Sequence, residues 1–167
     1  QAEIDAASDA VNALDTYIDG AFADGLVSEA EAKAIEKYIN IVNSQKSDID
    51  AGFTALYANS YLSGTAKTNL NSAKEALNTS VSNLLDSIAT AITDGAATTA
   101  EKADVDSKFT AFNAAISTYQ TRVEQAQEAI SAAMKTATEN ASKHYADSLA
   151  DGLDSDSTAK VTAAKNA

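Results

Sequence analysis

The sequence predicts an all-α fold, an elongated antiparallel up-down bundle of four long helices, and three observations carry that prediction. Among 167 residues there is no Pro, no Cys and no Trp, and there are six Gly; such a composition favours long helices over turn-rich sheet. Apolar residues recur at alternating steps of four and three, the heptad period of helices packed nearly parallel or antiparallel. The pattern also occurs twice: Asp24-Gly25 with Ser28 and Glu31 returns as Asp94-Gly95 with Thr98 and Glu101, an offset of 94 minus 24, or 70 residues, without a gap.

Each helix follows from this punctuation. The first is expected at 3–22, on a stripe of Val11, Leu14, Ile18 and Phe22. After the Asp-Gly turn, the second spans 28–61 through Ile35, Ile39, Val42, Ile49, Phe53 and Leu56. Ser63-Gly64-Thr65 ends it, with a Gly able to take positive φ and then a capping residue. The third, 65–93, repeats the first stripe as Val81, Leu84, Ile88 and Ile92. The fourth, 98–149, repeats the second as Val105, Phe109, Phe112, Tyr119, Val123 and Ala126, with Ile116 standing where the second helix has Lys46. It would be about 78 Å long if continuous, in the manner of spectrin. Each helix has one apolar stripe and needs neighbours to be stable; short connections make those neighbours antiparallel.

The organisation is therefore a first helix-turn-helix repeat over 1–64, a second over 65–130, and a partial third over 131–167. Aligned on Asp151-Gly152, Tyr145 and Leu149 take the places of Ile18 and Phe22, so the end of the fourth helix doubles as the start of a third unit. Ser155, Asp156 and Ser157 are candidate caps for the helix that would come next, and the polar end is expected to fray. The chain begins with Gln and not Met, which reads as a piece of a longer protein.

Charge and motifs bound the function. With 12 basic against 24 acidic side chains the net charge is -12, which disfavours nucleic acid or an anionic membrane as partner. No apolar run is long enough to span a bilayer, and without Cys there is no disulfide, thiol nucleophile or thiolate metal site. Asp24-Gly25 resembles the second half of a calcium-binding loop, but the first and third loop positions are Gly20 and Phe22, then Thr90 and Ile92 in the second copy; neither pair offers the carboxylates such a loop uses. Any metal site here would be incomplete or shared. Ser28 with Glu31, and Thr98 with Glu101, instead read as capping boxes, and Val27 as a hydrophobic staple behind the first.

His144 is the single His and has no nucleophile, second His or carboxylate set around it, so it reads as a partly exposed helix residue. Of the six Tyr, Tyr119 falls in the heptad core, with Tyr17 and Tyr57 beside it; Tyr57 and Tyr61, one turn apart, are the candidate surface contact. Lys46, on a core position, reads as a register device or as a side chain that snorkels to solvent. No catalytic, cofactor-binding or metal-ligating set emerges.

The stretch "DGLVSEAEAKAIEKYINIVNSQKSDIDAGFTALYANSYLSGTAKTNL", with "DGAATTAEKADVDSKFTAFNAAISTYQTRVEQA" after it, resembles the repeated helical segments of bacteriophage tail-fibre and tail-tip minor structural proteins, closest to those of phages and prophages of Bacteroides-type gut bacteria. Such segments carry Asp-Gly, a β-branched hydrophobe, Ser or Thr, and Glu-Lys; here Ala32 replaces the Lys in the first copy and Ala97 the hydrophobe in the second. The resemblance covers about residues 15 to 130. It implies a non-enzymatic spacer, a stack of hairpins lengthening with copy number, in a virion tail. Its partners would be the rest of the same tail protein, neighbouring tail subunits and, for a binding module, a host surface receptor. A bacterial surface adhesin could use the same repeats.

Overall fold

The computed structural model describes residues 1–152 and 155–166. It is a helical bundle of α1 (Ala2–Ala21), α2 (Glu29–Tyr57), α3 (Gly64–Ile92) and α4 (Thr99–Gly152), with a further helix α5 (Ser155–Lys165). The first four run up, down, up and down. α1 packs against α2 and α4, α3 against α4 and α2, and α5 against α4.

The heptad stripes form one core. Val11, Leu14 and Ile18 of α1 and Val81, Leu84 and Ile88 of α3 are buried with Ile35, Val42 and Ile49 of α2 and Val105, Phe112 and Tyr119 of α4. At about 1.5 to 3 kcal/mol for each large apolar side chain removed from water, this burial is what makes helices of weak individual stability persist.

The two repeats do not stack end to end. They face each other: Leu26 and Ala96 form an antiparallel bridge, with Val27 N–H donating to the Gly95 carbonyl at 2.8 Å and Ala97 N–H to the Gly25 carbonyl at 3.1 Å. Every partner in this exchange is the other's residue number shifted by 70, so a pseudo-two-fold axis relates the repeats. Because α1 and α3 run in the same direction, that axis lies along the bundle.

Three expectations are corrected. The second helix stops at Tyr57 and not at 61, because Asn59 Oδ1 accepts from Tyr61 N–H at 2.9 Å and the Asn59 carbonyl accepts from Leu62 N–H at 3.1 Å, turning the chain. Leu62 is thereby tucked into the core. At the start of α3, Ser63 and not Thr65 holds the capping position, with no side-chain hydrogen bond, while Gly64 takes φ +60. Finally, the end does not fray at 155. α5 is helical and folds back on α4, where Val161 and Ala164 line a groove with Tyr145 and Leu149, and Lys165 pairs with Asp147. The connection after Gly152, and capping by Ser155 or Asp156, lie outside the described residues.

Candidate functional site: the paired turns and the buried lysine

At each Asp-Gly turn the backbone is organised by side chains one to seven residues away. Gly25 and Gly95 have φ +77 and +78, a left-handed conformation that costs an ordinary L-residue about 1 kcal/mol or more. Asp24 Oδ1 accepts from Leu26 N–H at 3.0 Å, and Asp94 Oδ1 from Ala96 N–H at 3.1 Å. Ser28 N–H donates to Glu31 Oε2 at 2.8 Å while Glu31 N–H donates to Ser28 Oγ at 3.3 Å; Thr98 and Glu101 make the same exchange at 2.9 and 3.2 Å.

The carboxylates that suggested a calcium loop thus accept backbone N–H groups. Among the described residues no three His, Cys, Asp or Glu side chains stand close enough together to hold a metal ion. Val27 and Ala97 are buried against the opposite repeat, with their N–H groups bound across the pseudo-axis. The turns therefore join the hairpins as well as starting α2 and α4.

A second cluster sits between α2 and α3. Lys74 is 3% exposed. Its ammonium pairs with Asp50 Oδ1 and donates to Asn78 Oδ1 at 2.6 Å. Lys46 donates to the other oxygen, Asp50 Oδ2, at 2.9 Å. Burial alone would push the Asp50 carboxyl up, but the hydrogen bonds and charges of Lys74 and Lys46 outweigh it and hold the carboxyl below the usual range. Nearby, burial, then the charges of Asp50 and Glu3, push the Tyr119 phenol up to about 12.

Comparison with known protein families, with curated proteins and with solved structures finds no match to this chain.

Sequence reasoning reached Lys46 but missed Lys74 and Asp50. The signal was present in the repeat: 70 residues away, Lys46 corresponds to Ile116, Lys74 to Ile4 and Asp50 to Gln120. An ionic cluster between α2 and α3 thus occupies the place that two buried isoleucines hold between α1 and α4. At the other end of the bundle the asymmetry reverses. Lys102 of α4 pairs with Asp19 of α1 at 3.3 Å, where the equivalent residues of α2 and α3 are Ala32 and Ala89. A repeat paired with a copy of itself would set a lysine opposite isoleucine. Pairing first with second gives the buried lysine its carboxylate, the use of buried polar groups to fix register and partner.

The tyrosines do not make a platform. Tyr57 stacks on Phe53 at 5.2 Å between centroids, with Lys67 Nζ 4.4 Å from its ring centre, whereas Tyr61 lies in the α2–α3 connection, 42% exposed. Tyr17 packs on Tyr38, also at 5.2 Å. His144 is exposed on α4.

Proposed function

We propose that this chain is a non-enzymatic structural spacer, a rod module of a bacteriophage tail-fibre or tail-tip protein located in the virion tail. One observation carries the rod: α4 runs for 54 residues, leaving a closed bundle and entering the next hairpin without a break. At about 1.5 Å per residue it spans about 80 Å. A helix shared by consecutive packing units transmits position stiffly, because bending at the junction would break its own hydrogen-bond ladder.

The phage assignment rests on the resemblance of the Asp-Gly repeats to tail segments. The partners proposed are other parts of the same tail protein and neighbouring tail subunits. The acidic surface suits a spacer, since like charge discourages lateral aggregation.

Gene context tests this reading: tail and baseplate genes beside the coding sequence are expected, and a cell-wall anchor encoded downstream would reject it in favour of an adhesin. Antibodies raised against the chain should decorate tails of intact particles in electron micrographs. Decoration of heads, or of the bacterial envelope with bare tails, would also reject it.

A further inference from the structure

The two hairpins carry grooves at equivalent places, and the 70-residue repeat makes each a control for the other. The first, 370 Å³ between α1 and α2, is lined by Ala13, Thr16, Tyr17, Gly20, Glu31 and Tyr38. The second, between α3 and α4, is lined by Asn83, Asp86, Ser87, Thr90, Asp104 and Lys108. Shifted by 70, Tyr17 meets Ser87, Gly20 meets Thr90 and Tyr38 meets Lys108. Both lie beside the Asp-Gly turns, at the end of the bundle away from Gln1.

The second groove is satisfied internally. Lys108 pairs with Asp104 at 3.3 Å, and Ser87 Oγ donates to Asp104 Oδ2 at 2.6 Å. In the first groove Ala34 stands where Asp104 does, and two partly buried tyrosines, 5.2 Å apart between centroids, replace the serine and the lysine. Gly20 weakens its helix relative to alanine, yet nothing stands within 4 Å of where its Cβ would be. Packing therefore requires neither the glycine nor the tyrosine pair, since the second repeat folds without them.

We propose that the first groove holds the guanidinium of an arginine side chain presented by a partner protein. Charge selects a cation. Glu31 is the one charged side chain among the described residues lining the groove, and α1 carries five acidic residues and no basic one. An anion would be repelled and a neutral sugar would draw nothing from that charge. The second groove has its own cation in Lys108. Glu31 accepts from Ser28 N–H and Oγ through Oε2, which leaves Oε1 for an N–H of the ligand, while the planar guanidinium lies against the tyrosine π electrons. Shape selects the source. A free small molecule is held where most of its surface is enclosed, whereas this groove is open to solvent and need grip only the tip of a side chain anchored elsewhere. This inference does not depend on the virion assignment.

NMR titration of the full chain with a blocked Ala-Ala-Arg-Ala-Ala peptide, to about 20 mM at physiological salt, tests it. The amide signals of Gly20 and Glu31 and the rings of Tyr17 and Tyr38 should move and saturate with a Kd of about 1 mM, as for one such contact without the rest of the partner. The peptide with citrulline, which keeps the shape and loses the charge, should bind about tenfold or more weakly. Free arginine should also bind more weakly, because its carboxylate meets the acidic α1. Tyr17→Ser with Tyr38→Lys installs the residues of the second groove and should abolish binding while the circular dichroism stays helical; Tyr17→Leu with Tyr38→Leu keeps apolar packing and should abolish it too. No movement of these signals, equal binding of the citrulline peptide, or binding that survives both double substitutions would each overturn the proposal. Tighter binding of free arginine than of the peptide would overturn the partner protein as its source.

Discussion

Lys74 shows how one side chain can decide which helices are neighbours. Its ammonium is buried, whereas the Asp50 carboxylate that serves it is partly exposed and is also held by Lys46. Removing the two partners therefore has unequal consequences. Asp50→Ala strands a buried cation on Asn78 and should cost about 3 kcal/mol, while Lys74→Met leaves a solvated carboxylate still paired with Lys46 and should cost less than about 2 kcal/mol. Chemical denaturation of the two variants measures the order, and a larger loss from Lys74→Met would show that the ion pair is not organised around the lysine. The pH dependence has a definite sign. With its carboxyl held below the usual range, Asp50 contributes stability that is fully present above the unfolded carboxylate pKa of about 3.9 and is lost as pH falls through the folded value. The gap in melting temperature between the native chain and Asp50→Asn should be widest near neutral pH and close as the pH drops below about 4. Thermal melts at a series of pH values read this directly; a gap that widened in acid would contradict it.

At the scale of the element, the starts of α2 and α4 were the most legible part of the sequence. Ser28 with Glu31 and Thr98 with Glu101 are local signals, because donor and acceptor lie three residues apart and need no tertiary partner. The end of α2 was less legible: it is set by Asn59 and by burial of Leu62, and the heptad pattern alone ran on to Tyr61. The bridge between Leu26 and Ala96 could not be read locally at all, since it joins backbones 70 residues apart. Two glycines separate these effects. Gly20 lies inside α1 with open space where a Cβ would go, whereas Gly25 has positive φ. Gly20→Ala should stabilise by up to about 1 kcal/mol through helix propensity, and Gly25→Ala should destabilise by about 1 kcal/mol or more through backbone strain. Melting curves of the pair are expected to shift in opposite directions; a shift in the same direction would mean that the turn does not need its left-handed glycine.

On the scale of the whole molecule, the fold divides into a closed bundle and an overhang. The repeat offset and the alternating stripes made a bundle of long helices legible, but they gave no indication of how the repeats face each other, because a period along the chain is compatible with end-to-end stacking and with pairing about an axis. α5 was hard to read for a different reason: its sequence, "SDSTAKVTAAK", has too few apolar residues to predict burial, and Val161 and Ala164 line a groove shared with α4. Among the described residues the buried core ends at Ile130. A chain stopped after Ile130 should therefore melt within a few degrees of the full chain, and a fall of more than about 10 °C would mean that the overhang supports the bundle.

The bridge between the two turns also bears on how such proteins change over generations. A lone hairpin leaves its stripe open and its turn backbone unbridged, so deletion or duplication of a single repeat produces a chain with an exposed half. Gain or loss of two repeats, 2 × 70 or 140 residues, keeps every hairpin matched. The heritable unit of length is then the pair. With Lys74 and Asp50 on one seam and Ile4 and Ile116 on the other, neither repeat can take its partner's place without setting a lysine opposite isoleucine.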